Sequence, residues 1–154
     1  IMLAQNTEAH IVNTASVSGL LSPPGSAMYN VTKHAVVTLT ETLYHDLALQ
    51  QSRIGCSVLC PAYVPSGIVD SERNRPAVLQ NPAQEKSAEQ QAREALLRKA
   101  VTSGKISADE VAQKVFEAVR DERFYILTHP RIKTSIQWRM EDILQERKPT
   151  NPMG

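Results

Sequence analysis

The chain has 154 residues, of which 42% are hydrophobic and 21% charged, and its 17 Lys and Arg nearly balance its 16 Asp and Glu. It contains no apolar run of the roughly 18 residues that a membrane span needs, and its net charge of +1 gives no basic surface for nucleic acid or anionic membranes. We therefore predict a globular domain whose partners are small molecules or another copy of the chain, with no nucleic acid and no membrane.

The opening residues, IMLAQNTEAH, lack the charged segment, apolar core and cleavage site of a secretion signal. We therefore expect a cytoplasmic protein. The only two cysteines, Cys56 and Cys60, lie in the sequence CSVLC, where the period of a strand would point both to one face. No further ligand accompanies them at a metal-binding spacing, so we predict buried apolar cysteines and no metal site.

Three short apolar segments, residues 10–15, 53–61 and 124–128, have the composition of buried strands. A long helix is predicted between the first two, starting at Ser26, and its four-residue spacing predicts a buried stripe of Val31, Ala35, Leu39, Leu43 and Leu47. Strands separated by long helices favour parallel pairing through right-handed crossovers. The expected fold class is α/β, with three parallel strands and flanking helices.

The rest of the chain is more polar. Residues 68–99 form a charged insertion, typical of a lid or mobile loop, that becomes an amphipathic helix only around Ala88, Ala92 and Leu96. Ser107 and Glu110 have the spacing of a capping box at the start of the next helix. A last helix is predicted to begin at Pro130, and the tail KPTNPMG is expected to be frayed.

The candidate chemistry begins in the sequence SAMYNVTKHA, which sets Tyr29 four residues before Lys33. On a helix these side chains lie on one face, with Cβ atoms about 5–6 Å apart. An ammonium group near a phenol stabilises the phenolate, which makes a tyrosine a usable acid or base near neutral pH. The alternative interpretation is an ordinary solvated helix face.

Two further segments follow the first two predicted strands. Ser16 ends the first strand, and the carboxyl ends of parallel strands are where α/β proteins carry functional groups. Its hydroxyl could hold a substrate carbonyl oxygen, or it could simply cap a turn. The sequence PAYVPS, from Pro61 to Ser66, is a proline-stiffened loop whose backbone could contact a flat ring.

The segments IVNTASVSGL, YNVTK and LCPAYVPSGI, in this order and spacing, resemble the short-chain dehydrogenase/reductase family. The resemblance covers the whole chain as the C-terminal half of a Rossmann-type doubly wound parallel sheet, so residues 1–154 would be a partial domain. It implies that Ser16 orients the substrate oxygen, that Tyr29 is the general acid or base, and that Lys33 binds the nicotinamide ribose and tunes Tyr29. It also implies nicotinamide contacts from Pro61, Ala62, Val64 and Ser66.

The same resemblance implies NAD or NADP as cofactor, a carbonyl or secondary-alcohol substrate, a substrate lid over about residues 68–100, and a homodimer or homotetramer. Two departures stand out. The family's Pro-Gly is Pro61-Ala62 here, and the glycine-rich turn that binds the pyrophosphate has no counterpart. Two function classes follow: an NAD(P)-dependent oxidoreductase, or a non-catalytic fragment or interaction module that retains the helix pairing surface.

Overall fold

The computed structural model describes residues 1–80 and 85–152. Within them the chain divides into two compact units. The first consists of Ile1–Ala62 together with the segment from Val111 onward, and the second is Tyr63–Glu110.

A parallel sheet forms the centre of the first unit. Its strands are β1 (Ala9–Thr14), β2 (Ile54–Cys60) and β3 (Tyr125–Leu127), in the order β1-β2-β3. Thr14 is aligned with Leu59, and Leu59 with Ile126. The predicted α/β class with three parallel strands is confirmed, and each strand lies within one or two residues of its predicted limits.

Five helices accompany the sheet in the described ranges: α1 (Met2–Gln5), α2 (Ala27–Leu49), α3 (Ala88–Thr102), α4 (Ala108–Arg120) and α5 (Ile132–Leu144). Short 3-10 turns add Val17–Gly19 after β1, and Gly67–Asn74 and Ala77–Leu79 in the second unit. None of these helices combines the length and apolar character that crossing a bilayer requires.

Both faces of the sheet are covered by a helix. On one face, Val37 of α2 packs with Ala15, Val58 and Cys60, and Leu47 packs with Ile54 and Cys56. On the other, Ala118 of α4 packs with Leu59 and Ile126. The prediction that both cysteines are buried is confirmed.

The predicted buried stripe of α2 is wrong over most of its length. Val31 and Leu39 are 64% and 65% exposed, Ala35 is exposed and Leu43 half-buried, whereas Asn30, Val37, Thr40 and Leu47 are buried. Four residues turn an α-helix by about 400°, so each four-residue step drifts about 40° around the axis. A stripe that starts opposite the sheet at Val31 therefore reaches the core only at Leu47.

The expectations for α3 and α4 have different outcomes. In α3, Ala88 and Ala92 are exposed, Leu96 is 69% exposed and the buried residue is Val101. The predicted amphipathic face is therefore not buried within the second unit. The capping box before α4 is confirmed, because the Ser107 amide donates to Glu110 Oε2 at 2.7 Å and the Glu110 amide donates to Ser107 Oγ at 3.1 Å.

The C-terminal tail is held as far as Thr150, whereas the sequence predicts fraying from Lys148. The Thr150 amide donates to Oδ2 of the buried Asp142 at 2.7 Å, and the Arg147 guanidinium lies 3.1 Å from Asp142 Oδ1. The hydrogen bond from Thr150, supported by Arg147, lowers the pKa of Asp142. Met153 and Gly154 lie outside the described residues.

Replacing valine by alanine should affect stability very differently on the two faces of α2. Val37→Ala removes a valine side chain that is 5% exposed, so we expect the free energy of unfolding to fall by about 2 kcal/mol. Val31→Ala, at a 64% exposed position of the same helix, should change it by less than about 0.5 kcal/mol. Urea titrations of the two variants measure both values. Equal losses would contradict the observed orientation of α2.

Candidate active site

The candidate site lies at the carboxyl ends of β1 and β2. The parallel ladder continues past the last residues of β1, since the Ala15 amide donates to the Leu59 carbonyl at 2.8 Å and the Val17 amide to the Pro61 carbonyl at 2.9 Å. These two bonds hold Ser16, which lies between them in the chain, beside the start of the Pro61 loop.

Ser16 is buried, at 8% exposure, and its hydroxyl has two contacts. Oγ accepts a hydrogen bond from the Ser18 amide at 3.2 Å and caps the turn Val17–Gly19, and it lies 3.5 Å from the Pro61 carbonyl, to which it can donate only weakly. The capping role considered from the sequence is therefore observed. It leaves the hydroxyl proton free to turn to another acceptor, so capping and catalysis are compatible.

Helix α2 supplies Tyr29 and Lys33 from its first two turns. Lys33 Nζ lies 5.7 Å from the centre of the Tyr29 ring and donates a hydrogen bond to the Thr14 carbonyl at 3.2 Å. Tyr29 is 40% exposed, and among the described residues its hydroxyl has no hydrogen-bond partner. The ammonium group thus joins the tyrosine to the end of the strand that leads to Ser16.

Tyr125 is a useful contrast to Tyr29. Its hydroxyl donates to the Glu41 carboxylate, and burial together with that carboxylate raises the pKa of Tyr125 to about 12. A phenol beside a carboxylate holds its proton, because ionisation would place two negative charges together. Tyr125 is therefore a structural residue, whereas the Tyr29 ring lies beside the Lys33 ammonium group and its hydroxyl is not paired with a carboxylate of any described residue.

A partly buried polar pair behind the site was missed from the sequence. Asn13 Nδ2 donates to Thr40 Oγ1 at 3.1 Å, and the Thr40 hydroxyl donates to the Val36 carbonyl at 2.7 Å. Thr40 is fully buried, so these bonds fix the position of α2 along β1. The asparagine within β1 was the available signal for this contact.

The loop after β2 contacts the residue that follows β3. The Ala62 amide donates to Thr128 Oγ1 at 3.4 Å, and Thr128, 1% exposed, lies 2.7 Å from His129 Nδ1. The Ala62 amide is therefore already engaged within the protein. Pro61 and Ala62 are half-buried beside the strand ends. The Pro61 carbonyl is engaged by the Val17 amide, so what the pair can offer a ligand is its shape and the Ala62 carbonyl group.

Val64 and Ser66 belong to the second unit. Val64 is half-buried, and Ser66 is exposed at the start of the turn Gly67–Asn74 in an extended conformation, with φ −161° and ψ 172°. The Ser66 side chain makes no capping hydrogen bond to that turn. Ser66 therefore differs from Ser16, whose hydroxyl caps the turn that follows it.

Lys33 is the cationic donor of the candidate site. An ammonium group carries three N–H donors; Lys33 directs one to the Thr14 carbonyl, and the other two could hold the hydroxyl oxygens of a sugar. The half-exposed phenol of Tyr29 stands beside them. Over residues 1–80 and 85–152, no three His, Cys, Asp or Glu side chains cluster as metal ligands would.

Comparison with known proteins identifies the family to which the chain belongs. The family model described as short chain dehydrogenase matches residues 1–77. The chain is 35% identical over 151 residues to the CLA biosynthesis dehydrogenase/reductase of Lactiplantibacillus plantarum, covering 97% of the chain and 52% of that protein. It is 31% identical over 142 residues to the 1-deoxy-11-beta-hydroxypentalenate dehydrogenase of Streptomyces avermitilis, covering 92% of the chain and 44% of that protein.

A solved structure is more similar still. The crystal structure of a short chain dehydrogenase/reductase from Burkholderia phymatum in complex with NAD has a TM-score of 0.94 and 56% sequence identity, covering the whole chain and 54% of that protein. The chain belongs to the short-chain dehydrogenase/reductase family. It spans about half the length of the relatives it matches.

Cys60 lies beneath this site as a buried thiol. Burial raises the pKa of Cys60 from the usual 9.0 to about 11, although a hydrogen bond with Ser16 backbone and the Lys33 cation act in the opposite direction. The thiol is 0% exposed, so it is a packing residue of the core and not a nucleophile.

The raised pKa predicts a loss of stability in alkali. Below pH 9 the Cys60 thiol is protonated in both folded and unfolded chains; between pH 9 and about 11 only the unfolded chain releases the proton, which favours unfolding. The contribution lost should reach roughly 2–3 kcal/mol. Urea titrations at pH 8 to 11 should show a steeper decline for the native chain than for Cys60→Ala. Parallel pH curves for the two would contradict the prediction.

Proposed function

We propose that this chain carries the catalytic residues of an NAD(P)-dependent oxidoreductase that interconverts a carbonyl group and a secondary alcohol. The observation that carries the proposal is the contact of Lys33 Nζ with both the Thr14 carbonyl, at 3.2 Å, and the Tyr29 ring, 5.7 Å away. One cation thereby connects the candidate acid, Tyr29, to the strand that precedes Ser16, the candidate hydrogen-bond donor to the substrate oxygen.

When bound, a nicotinamide dinucleotide supplies or accepts the hydride. The two free donors of Lys33 would hold its ribose hydroxyls, and the loop residues Pro61, Ala62, Val64 and Ser66 would contact its nicotinamide. The NAD of the Burkholderia phymatum structure favours NAD over NADP. We further propose that about residues 68–100, of which 81–84 lie outside the described residues, form the substrate lid of a partial dinucleotide-binding domain.

The proton is handled by Tyr29. In the reductive direction its Oη donates a proton to the substrate oxygen as the carbonyl becomes an alcohol, and in the oxidative direction the phenolate takes that proton back. The Ser16 hydroxyl, only weakly bound to Pro61, turns to donate a hydrogen bond to the same substrate oxygen, where negative charge develops.

The exposed side of α2 supports the homodimer or homotetramer that the family resemblance implies. Met28, Val31, Leu39 and Leu49 are all more than half exposed on the face of α2 opposite the sheet. An apolar row along a helix of 23 residues is suited to pairing with the same helix of a second copy.

The same row favours a second candidate function. An exposed apolar row of this length suits an interaction module that pairs through α2 without binding cofactor. The two functions differ in whether the chain binds NAD(H), which nucleotide fluorescence measures directly.

The role of Tyr29 can be tested in two forms of the protein: the chain as it stands, and the chain joined to the part of the Burkholderia phymatum protein that it does not match. Tyr29→Phe keeps the ring and removes the proton, so we expect kcat to fall about 10³-fold with unchanged NADH affinity. Stopped-flow reduction of a panel of ketones, with NADH titrations, measures both quantities.

The matched control is Tyr44→Phe, the same change on the same helix at a tyrosine whose ring packs against Phe124. It should leave kcat within about twofold, because the ring contact remains. An active Tyr29→Phe would refute the acid-base assignment. A chain that binds no nucleotide, beside a joined protein that does, would assign the interaction role to the chain alone.

If two copies of the chain pair through the exposed apolar row of α2, a charged residue in that row should change the oligomeric state. Leu39→Glu places a charge in the middle of the exposed row, so we expect a dimer of the native chain to become a monomer in sedimentation-velocity experiments. Leu96→Glu makes the same change at a position of similar exposure, 69% against 65%, and should leave the dimer intact. Dissociation by both variants, or by neither, would contradict pairing through α2.

A further inference from the structure

We infer that Gly19 is a positioning residue for the proposed reaction: it sets the distance between the turn that carries Ser16 and the helix that carries Tyr29 and Lys33. The inference rests on the proposed function. Gly19 has no functional group. It matters because it has no side chain where the turn contacts α2.

The contact is very close. A Cβ atom on Gly19 would lie 2.6 Å from the Lys33 carbonyl oxygen, 3.0 Å from the Lys33 carbonyl carbon and 2.8 Å from Val37 Cγ2. Separations below about 3.0 Å are shorter than van der Waals contact allows. Two of these three atoms belong to the backbone of α2, which cannot rotate away as a side chain can. The turn therefore rests directly on the helix at the residue that holds Tyr29 to β1.

Gly19 is also connected rigidly to Ser16. The Gly19 amide donates to the Ser16 carbonyl at 2.8 Å, and the Ser16 hydroxyl in turn accepts from the Ser18 amide. The Leu20 and Leu21 amides both donate to the Val17 carbonyl, at 3.0 and 2.9 Å. A turn tied together by these bonds moves as one body, so a displacement at Gly19 also moves Ser16.

The side of the turn away from α2 is fixed. The Val17 amide is bonded to the Pro61 carbonyl, and the Ala15 amide to the Leu59 carbonyl. A methyl group at position 19 cannot therefore be relieved by moving the whole turn back without breaking the ladder of β1 and β2. The strain is therefore relieved by moving α2 away from the Ser16 turn by several tenths of an ångström, which carries Tyr29 and Lys33 away from Ser16.

The chain offers a matched control at Gly55, in the middle of the same sheet. A Cβ atom there would also come within 2.6 Å of its nearest neighbour, His10 Nδ1, but that atom is part of a side-chain ring. Gly55 is aligned with His10 in the amino-terminal half of β1 and β2, away from the strand ends that carry Ser16 and Pro61. Gly55→Ala therefore introduces equal crowding in the same fold without touching the site.

The decisive measurement is turnover per binding site. Gly19→Ala and Gly55→Ala are prepared in the joined protein described above, and the concentration of NADH-binding sites is titrated in each sample before kcat is measured. We expect kcat per site to fall tenfold to a hundredfold for Gly19→Ala and to change less than twofold for Gly55→Ala. A loss of folded protein lowers the number of sites in both variants but not kcat per site.

A second measurement needs no cofactor. The Val37 amide donates to the Lys33 carbonyl within α2, which is the atom that the new methyl group would touch. We expect hydrogen exchange of the Val37 amide in the full chain to be at least tenfold faster in Gly19→Ala than in Gly55→Ala. Should Gly19→Ala not fold, Gly19→Ala with Val37→Ala is compared with Gly55→Ala with Val37→Ala in both experiments. The destabilisation by Val37→Ala is then common to both proteins, and the contact with the Lys33 carbonyl, which remains, distinguishes them.

The outcomes separate the two proposals. An inactive joined protein with native Gly19 would overturn the proposed function, and the exchange rates would still test the contact. An active protein in which Gly19→Ala and Gly55→Ala have the same kcat per site would overturn the positioning role and leave the proposed function standing. A Gly19→Ala variant with lower kcat per site and faster Val37 exchange would support both.

Discussion

Parallel pairing of β1 with β2 is the constraint on which the rest of the structure depends. Six consecutive residues are aligned, from Ala9 with Ile54 to Thr14 with Leu59. Because both strands run the same way, the segments that leave them, beginning at Ser16 and Pro61, emerge side by side. An antiparallel pair would have sent one of these segments to the opposite edge of the sheet, and no local sequence preference could have brought the two together again.

Pairing of the strands does not by itself position the third part of the site, which comes from α2. That helix is held to β1 by polar contacts as well as by apolar packing. Asn13 reaches the buried Thr40, and Lys33 reaches the carbonyl of Thr14. Hydrogen bonds have narrow limits of distance and angle, whereas apolar contacts tolerate sliding. Apolar packing thus determines which face of α2 is buried, and these hydrogen bonds determine the position of α2 along β1.

The strands and the neighbourhood of Tyr29 and Lys33 could be predicted because they depend on local periodicity alone. The buried face of α2 could not, since the apolar residues at four-residue spacing drift around the helix and Thr40 is buried in preference to Leu39. The contact of Ala62 with Thr128 joins residues 66 positions apart through a backbone amide, which leaves no mark in the sequence. The anchoring of Thr150 by Asp142 is of the same kind. Long-range contacts to backbone atoms are thus the part of the fold that sequence patterns do not contain.

The bond between Lys33 and the Thr14 carbonyl also has an evolutionary consequence. Its acceptor is a backbone atom, so every amino acid at position 14 supplies it, and the Thr14 side chain is itself exposed. Position 14 is therefore free to vary as the substrate or the surrounding surface changes. Position 33 has no such freedom, because even arginine replaces a compact ammonium group by a planar fork of different reach. We therefore expect position 14 to vary much more among related sequences than position 33.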